Sequence, residues 1–190
     1  MNVLLTAEQI AHRVEELARQ ISEKYSGQTL HVVCILDNAF LFMADLVRCM
    51  DVPVICGFVK PRFKESSTQT GTHMEIFFSP EIDVRGQHVL LAEAVVQSGI
   101  TAEFLMRNIA ARGAASVRLV TLLDKPAARR VSLQPDFFGF LVEQDYVFGY
   151  GLAGPDQTGR NLPYVAALTP PRTKTGGAEA EGAQPAGAKS

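Results

Sequence analysis

The chain has 190 residues, 47% of them hydrophobic, with 18 basic and 20 acidic side chains and a formal net charge of −2. That is enough chain for one globular unit with a substantial core, and the balanced charge excludes a protein that grips nucleic acid through a general basic surface, so an anionic partner must be held by a local site. No apolar run reaches the roughly 18 residues of a membrane span, and the apolar run in MNVLLTAEQIAHRVEE is too short for a signal peptide. The expectation is a soluble cytoplasmic protein with a small-molecule partner, no nucleic acid and no membrane. Cys34, Cys49 and Cys56 are odd in number, lack metal-ligand spacing and sit in apolar runs, which reads as reduced thiols packed in the core.

Thr6 opens TAEQ, a capping-box pattern, and Ile10, Val14, Leu17 and Ile21 follow at helical spacing until Gly27, predicting a first helix over about 6–25. HVVCIL (31–36) is a short continuous apolar strand. After it comes the turn Asp37-Asn38, with Asn38 expected as N-cap of the helix AFLFMADLVRCM. VPVICGFV (52–59) is strand-like, whereas KPRFKESSTQTGTHM is polar, aperiodic and holds Pro61 and Gly71, so a mobile loop is expected there. MEIFFSP reads as a strand. HVLLAEAVV (88–96) is a buried strand leading through QSGIT to the helix AEFLMRNIAARG, with Phe104, Leu105 and Ile109 on one face and Gly113 at its end. SVRLVTLL (116–123), DFFGFLV (136–142) and YVAAL (164–168) add strands. The class is α/β, a parallel sheet covered on both faces, with the late strands forming an added subdomain. Residues 1–168 are expected to form the domain, and 169–190, rich in Gly, Ala and Pro, a disordered tail.

The turn Gln97-Ser98-Gly99-Ile100-Thr101 joins a buried strand to a helix start. Backbone N–H groups there have no intrahelical partner and carry the positive end of the helix dipole. Ser98 and Thr101 add hydroxyls, and Gly99 permits close approach, so the turn suits one phosphate monoester. On spacing alone a simple capped strand-to-helix connection is the competing reading. The four histidines, His12, His31, His73 and His88, have no nucleophile or metal partner at a recognisable spacing.

Several ordered segments resemble one family: LTAEQIAHRVEELARQI, FLFMADLVRCMDVPV, the strand and turn at 89–101, VTLLDKPAARR, PDFFGF, YVFGYGL and RNLPYVAAL. From about Val3 to Leu168 the chain resembles the hypoxanthine-guanine phosphoribosyltransferases, particularly the bacterial hypoxanthine type. The resemblance implies the type I phosphoribosyltransferase fold, a central parallel sheet flanked by helices with a small hood built from terminal segments. It also implies a reaction in which phosphoribosyl pyrophosphate gives its ribose 5-phosphate to N9 of a 6-oxopurine and releases pyrophosphate.

Carried over residue by residue, the resemblance gives Gln97, Ser98, Gly99, Ile100 and Thr101 the 5-phosphate. Lys125 is given the purine 6-oxo group, Tyr146 and Val147 the stacking and bonding of the ring, Glu93 a ribose hydroxyl, and Arg160 the pyrophosphate side. Other positions depart from the family. Ala94 stands where a second carboxylate grips ribose and metal, and Gln97 replaces the aspartate that handles the purine proton; an amide cannot take that proton, a loss commonly worth roughly 10² to 10⁴ in rate. Asp37-Asn38 replaces a lysine-glycine pair at the pyrophosphate turn, where a like charge costs about 4 kcal/mol per pair at 4 Å with an effective dielectric near 20. Ala153 stands at a metal-side aspartate, and Phe63-Lys64 at the Ser-Tyr of the closing loop.

Because these departures spare the base and phosphate contacts, the expectation is a catalytically impaired member that binds a purine nucleoside monophosphate, GMP or IMP, as a sensor or regulatory subunit. The alternative is an active hypoxanthine/guanine phosphoribosyltransferase of purine salvage. Magnesium is implied only for the active form. A homodimer or homotetramer is expected, or a hetero-oligomer with an active relative.

Overall fold

The computed structural model describes residues 2–65, 72–78, 83–143 and 146–168, with the backbone path alone for 62–65 and 72–78. The segment read as a tail, 169–190, lies outside the described residues. In chain order the elements are β1 (Asn2–Leu5), α1 (Ala7–Lys24), β2 (Leu30–Ile35), α2 (Phe40–Arg48), β3 (Val54–Glu65), β4 (Thr72–Phe78), β5 (His88–Val96), α3 (Ile100–Ala111), β6 (Ser116–Asp124), a 3-10 turn (Pro126–Ala128), β7 (Phe137–Leu141), β8 (Val147–Phe148) and β9 (Val165–Ala167).

The expected capping box forms: Gln9 N donates to Thr6 Oγ1 at 3.3 Å and Thr6 N donates to Gln9 Oε1 at 2.9 Å. It starts α1 so that Ile10, Val14, Leu17 and Ile21 turn inward. All six residues of β2 are buried, as a continuous apolar run requires when a strand is covered on both faces. Its alternate side chains divide between two cores. Leu30, Val32 and Cys34 pack with Phe42 and Leu46 of α2 and with the α1 stripe, while Val33 and Ile35 pack with Ala102, Leu105 and Ile109 of α3. Each fully buried aliphatic side chain contributes about 1.5–3 kcal/mol of transfer free energy.

The main sheet has the order β4-β3-β2-β5-β6-β7, with five parallel strands and β4 antiparallel on the edge. A second antiparallel sheet, β1-β9-β8, makes the hood. The central parallel sheet with flanking helices and a separate small sheet is the α/β arrangement that the resemblance implies. No described helix is long and apolar enough to cross a membrane.

Four expectations change. The stretch read as a mobile loop is mostly paired backbone: β3 runs through Lys60–Glu65 and pairs with β4 back to Thr72, and only 66–71 lie outside the described residues. Main-chain pairing in an outlying ribbon needs no apolar alternation, so the sequence period does not report it. Phe104 is 39% exposed, because it stands one residue off the Ala102/Leu105/Ile109 stripe, about 100° round the helix. Of the cysteines only Cys34 is buried, its thiol pushed up to about 12 chiefly by burial, with Cys56 nearby adding to it. Cys49 caps the end of α2 and Cys56 lies on β3, whose Ile55 and Phe58 are exposed too. Finally, His88 has a nucleophile-type neighbour, Ser116 Oγ at 2.8 Å from Nδ1, at the amino ends of their strands.

Candidate functional site

From β2 the chain leaves through α2 to β3; from β5 it leaves through α3 to β6, on the other side in the strand order. Where neighbouring strands send their connections in opposite directions, their carboxyl ends frame a crevice. Here the two lips are the turn Leu36-Asp37-Asn38 and the turn 97–101. The hood supplies the third wall, through Tyr146, Val147 and the loop that follows β8.

Asp37 is bound by Lys60, whose Nζ lies 2.8 Å and 2.7 Å from the two carboxylate oxygens. Asn38 does not cap α2. The N-cap is Ala39, with no side-chain cap, and Asn38 Oδ1 instead accepts from Arg160 Nη1 at 2.5 Å. The same Arg160 nitrogen donates to Gly151 O at 2.6 Å. Arg160 thus joins the hood loop to the turn after β2, and Lys60 covers the charge of Asp37.

On the opposite lip, Ser98 Oγ accepts from Ile100 N at 3.4 Å, and Gly99 is the left-handed N-cap of α3 with φ +79°. The space that Gly99 keeps open differs from expectation. A Cβ there would come 2.9 Å from Val131 Cγ2 and 3.0 Å from Arg129 Cδ, so the missing side chain lets the segment 129–133 pack behind the turn. Thr101 is half-buried, and Ile100 is exposed.

Gln97, Lys125, Tyr146, Val147 and Arg160 come from separate stretches of chain and line one cavity of about 350 Å³, with Asn38 and Ala153 beside them. Lys125 is 5% exposed, which removes the reading of a solvated loop lysine. Tyr146 is partly exposed, its hydroxyl donating to Ala153 O at 3.2 Å, so its ring is tied to the hood loop. Val147 is buried in β8. Ser98 lies in an adjoining cavity of about 420 Å³ with Arg129 and Arg130, and Gln97 belongs to both.

Strand alternation separates Glu93 from Ala94. Ala94 is packed in the core on the α1–α2 side. Glu93 has a buried Oε2 with no hydrogen-bond partner among the described residues, and burial pushes its carboxyl up to about 8, with the Arg129 guanidinium pulling the other way.

Sequence reasoning missed Arg129 and Asp124. They form an ion pair that is nearly closed to solvent, and Arg129 Nη1 also donates to Gln97 O at 3.3 Å. Their only sequence signal is the basic pair in PAARR, which spacing cannot place against a turn some 30 residues earlier. Gln157 and Leu152, on the cavity wall, carried no signal.

A phosphoribosyl transferase domain model matches residues 2–154. The hypoxanthine-guanine phosphoribosyltransferase of Mycobacterium avium is 38% identical over 175 residues, covering 89% of this chain and 86% of that protein. This chain belongs to the hypoxanthine-guanine phosphoribosyltransferase family. The Bacillus subtilis hypoxanthine-guanine phosphoribosyltransferase is 33% identical over 168 residues, covering 88% of this chain and 93% of its own. Among solved structures, the hypoxanthine phosphoribosyltransferase of Trypanosoma cruzi in a ternary substrates complex superposes with a TM-score of 0.82 at 29% identity, covering 90% of this chain and 96% of that one.

The phosphoribosyltransferase resemblance implies magnesium, which takes oxygen ligands in near-octahedral geometry, commonly one or two carboxylates besides substrate phosphates. Among the described residues no group of three or more His, Cys, Asp or Glu side chains is placed to hold a metal. Glu93 lies on β5 just before the 97–101 turn with its Oε2 unpartnered among the described residues, and Asp37, on the other lip, is paired with Lys60. The methyl groups of Ala94 and Ala153 offer no ligand. Two of the positions that the resemblance gives to the metal side therefore carry no oxygen donor, which leaves a poor protein donor set for magnesium.

Proposed function

We propose that this member of the hypoxanthine-guanine phosphoribosyltransferase family binds a purine nucleoside monophosphate, GMP or IMP. The base lies against Lys125, Tyr146 and Val147, and the 5-phosphate on the 97–101 turn. The observation that carries this reading is the buried Lys125 sharing one cavity with Tyr146 and Gln97, directly beside the phosphate turn. A buried ammonium is an oriented donor for a purine 6-oxo group, and an aromatic ring at the cavity mouth offers a stacking face. Gln97 can hydrogen-bond to a base through its amide.

Slow transfer follows from the opposite side of the crevice, where Arg160 and Asp37 are each engaged inside the protein and the donor set for a metal is poor. In that form the protein serves as a purine nucleotide sensor or regulatory subunit, in an assembly of two or four copies or with an active relative. A second reading is a working transferase of purine salvage. The identities to named hypoxanthine-guanine phosphoribosyltransferases over nearly the whole chain favour it, and it is at least as well supported as impairment.

Calorimetry with GMP and IMP tests the shared part: no detectable heat at millimolar nucleotide would remove it. A steady-state assay for IMP or GMP formation with magnesium separates the two readings. Turnover of about 1 per second or more, within the ordinary range for enzymes, establishes the transferase; turnover below that by the roughly 10² to 10⁴ expected for a missing proton-transfer group supports the sensor.

A further inference from the structure

Behind the phosphate turn runs the segment 125–133, and it touches residues 96–99, the end of β5 and the first half of the turn, in succession. Lys125 N donates to Val96 O at 3.0 Å, Arg129 Nη1 donates to Gln97 O at 3.3 Å, and Arg130 N donates to Ser98 O at 2.9 Å. Val131 and the Arg129 stem then close on Gly99. Three consecutive carbonyls therefore point at one strap. In a trans peptide the C=O of one residue and the N–H of the next point in opposite directions. Fixing the carbonyls of residues 96–98 accordingly turns the N–H groups of Gln97, Ser98 and Gly99 away from the strap. A run of N–H groups facing the same way is an anion-binding concavity.

Two of the three tethers are main chain. The middle one is a side chain, and it is itself held, because the second guanidinium nitrogen of Arg129 is paired with Asp124. We propose that Arg129 is a positioning residue for phosphate recognition: it acts from behind the turn, holding the Gln97 carbonyl back so that the Ser98 N–H faces the anion. The inference rests on the nucleotide-binding reading. It adds that the strap begins at Lys125, so base recognition and phosphate recognition share one rigid piece of chain.

The consequence is selective. Removing Arg129 frees the Gln97–Ser98 peptide to rotate its carbonyl oxygen toward the phosphate, which weakens ligands that carry a phosphate and leaves the bare nucleoside unaffected. Titration calorimetry on the full chain compares GMP with guanosine for the parent, Arg129→Ala, Arg129→Lys and Asp124→Asn. Expected are a loss of about tenfold or more in GMP affinity for Arg129→Ala, guanosine affinity within about twofold of the parent, and partial recovery in Arg129→Lys, which still reaches the carbonyl. Asp124→Asn loosens the same guanidinium and weakens GMP in the same selective sense, with no further effect when added to Arg129→Ala. Equal weakening of GMP and guanosine, or unchanged GMP binding in Arg129→Ala, overturns the proposal. Should Arg129→Ala fail to fold by far-ultraviolet circular dichroism, Asp124→Asn and Arg129→Lys carry the comparison. A parent protein that binds neither ligand refutes the nucleotide reading itself, a result distinct from a parent that binds GMP and a variant that binds it equally well.

Discussion

Arg160 Nη1 donates to Asn38 Oδ1 at 2.5 Å across 122 residues of chain, and the amide so engaged lies on the lip that the family resemblance gives to pyrophosphate. A side-chain carbonyl there competes with an anion for the same guanidinium. Replacing it frees the arginine for charge-assisted hydrogen bonds to phosphate oxygens. For Asn38→Gly we expect pyrophosphate to bind about tenfold more tightly, the equivalent of about 1.4 kcal/mol, read by calorimetry. Adding Asp37→Lys deepens the effect by converting repulsion to attraction. Unchanged affinity in both variants would separate Arg160 from the anion.

Glu93 titrates from about 8 in the folded chain against an ordinary value of 4.5. Between those limits the folded state keeps a proton that the unfolded state has released, so stability falls as pH rises through the window. The contribution is fully present below about 4.5 and is lost as pH passes through about 8. Glu93→Gln keeps the shape and removes the titration. Its melting temperature, set against that of the parent, should gain steadily between pH 5 and pH 8.5. A parallel pair of stability curves would contradict the buried, proton-bearing carboxyl.

Gly151 has φ +93°, and a Cβ placed on it would come 2.5 Å from Asn38 O. Gly151→Ala therefore combines backbone strain with a clash against the turn after β2. The expected loss is about 2 kcal/mol or more, seen as a lower urea midpoint, together with weaker nucleotide binding because Arg160 hangs from the same Gly151 carbonyl.

The buried hydroxyl of Tyr150 donates to Asp45 Oδ2 at 2.6 Å, and burial followed by that carboxylate raises its pKa well above the usual phenol value. Tyr150→Phe leaves the ring in place and strips the donor. A cost of about 1–2 kcal/mol in urea unfolding is expected, with little change in base binding, since the contact fastens the hood to α2 on the far side of the cavity wall.

The fold was legible wherever burial imposed a period. Ile10, Val14, Leu17 and Ile21 announce α1, and the apolar runs of β2 and β5, the latter broken only by Glu93, announce strands covered on both faces. The inner parts of β3 and β4 were legible in VPVICGFV and MEIFFSP, but the outer part of the ribbon, 60–65 and 72–73, was illegible because main-chain pairing places few demands on side chains. At the site, Lys125 and Tyr146 carry signals only through family resemblance; nothing local separates a buried lysine from a solvated one. Asn38 illustrates the limit. Its position before a helix makes it a natural cap, and the arginine that claims its side chain is 122 residues away. Arg129 was hidden for the same reason, since the carbonyl it holds is 32 residues earlier.

In the hood, β9 lies between β1 and β8, with Asn2 opposite Ala167 and Val147 opposite the same residue. Among the described elements, the strand that joins the two comes last in the chain. All the strands of the main sheet and the 97–101 turn precede residue 142 in the chain, while the wall that bears Tyr146 and Val147 needs residues 165–167. A chain cut before β9 would keep the 97–101 turn while losing the strand that pairs with both Val147 and Asn2, and with it the support of the wall that bears Tyr146.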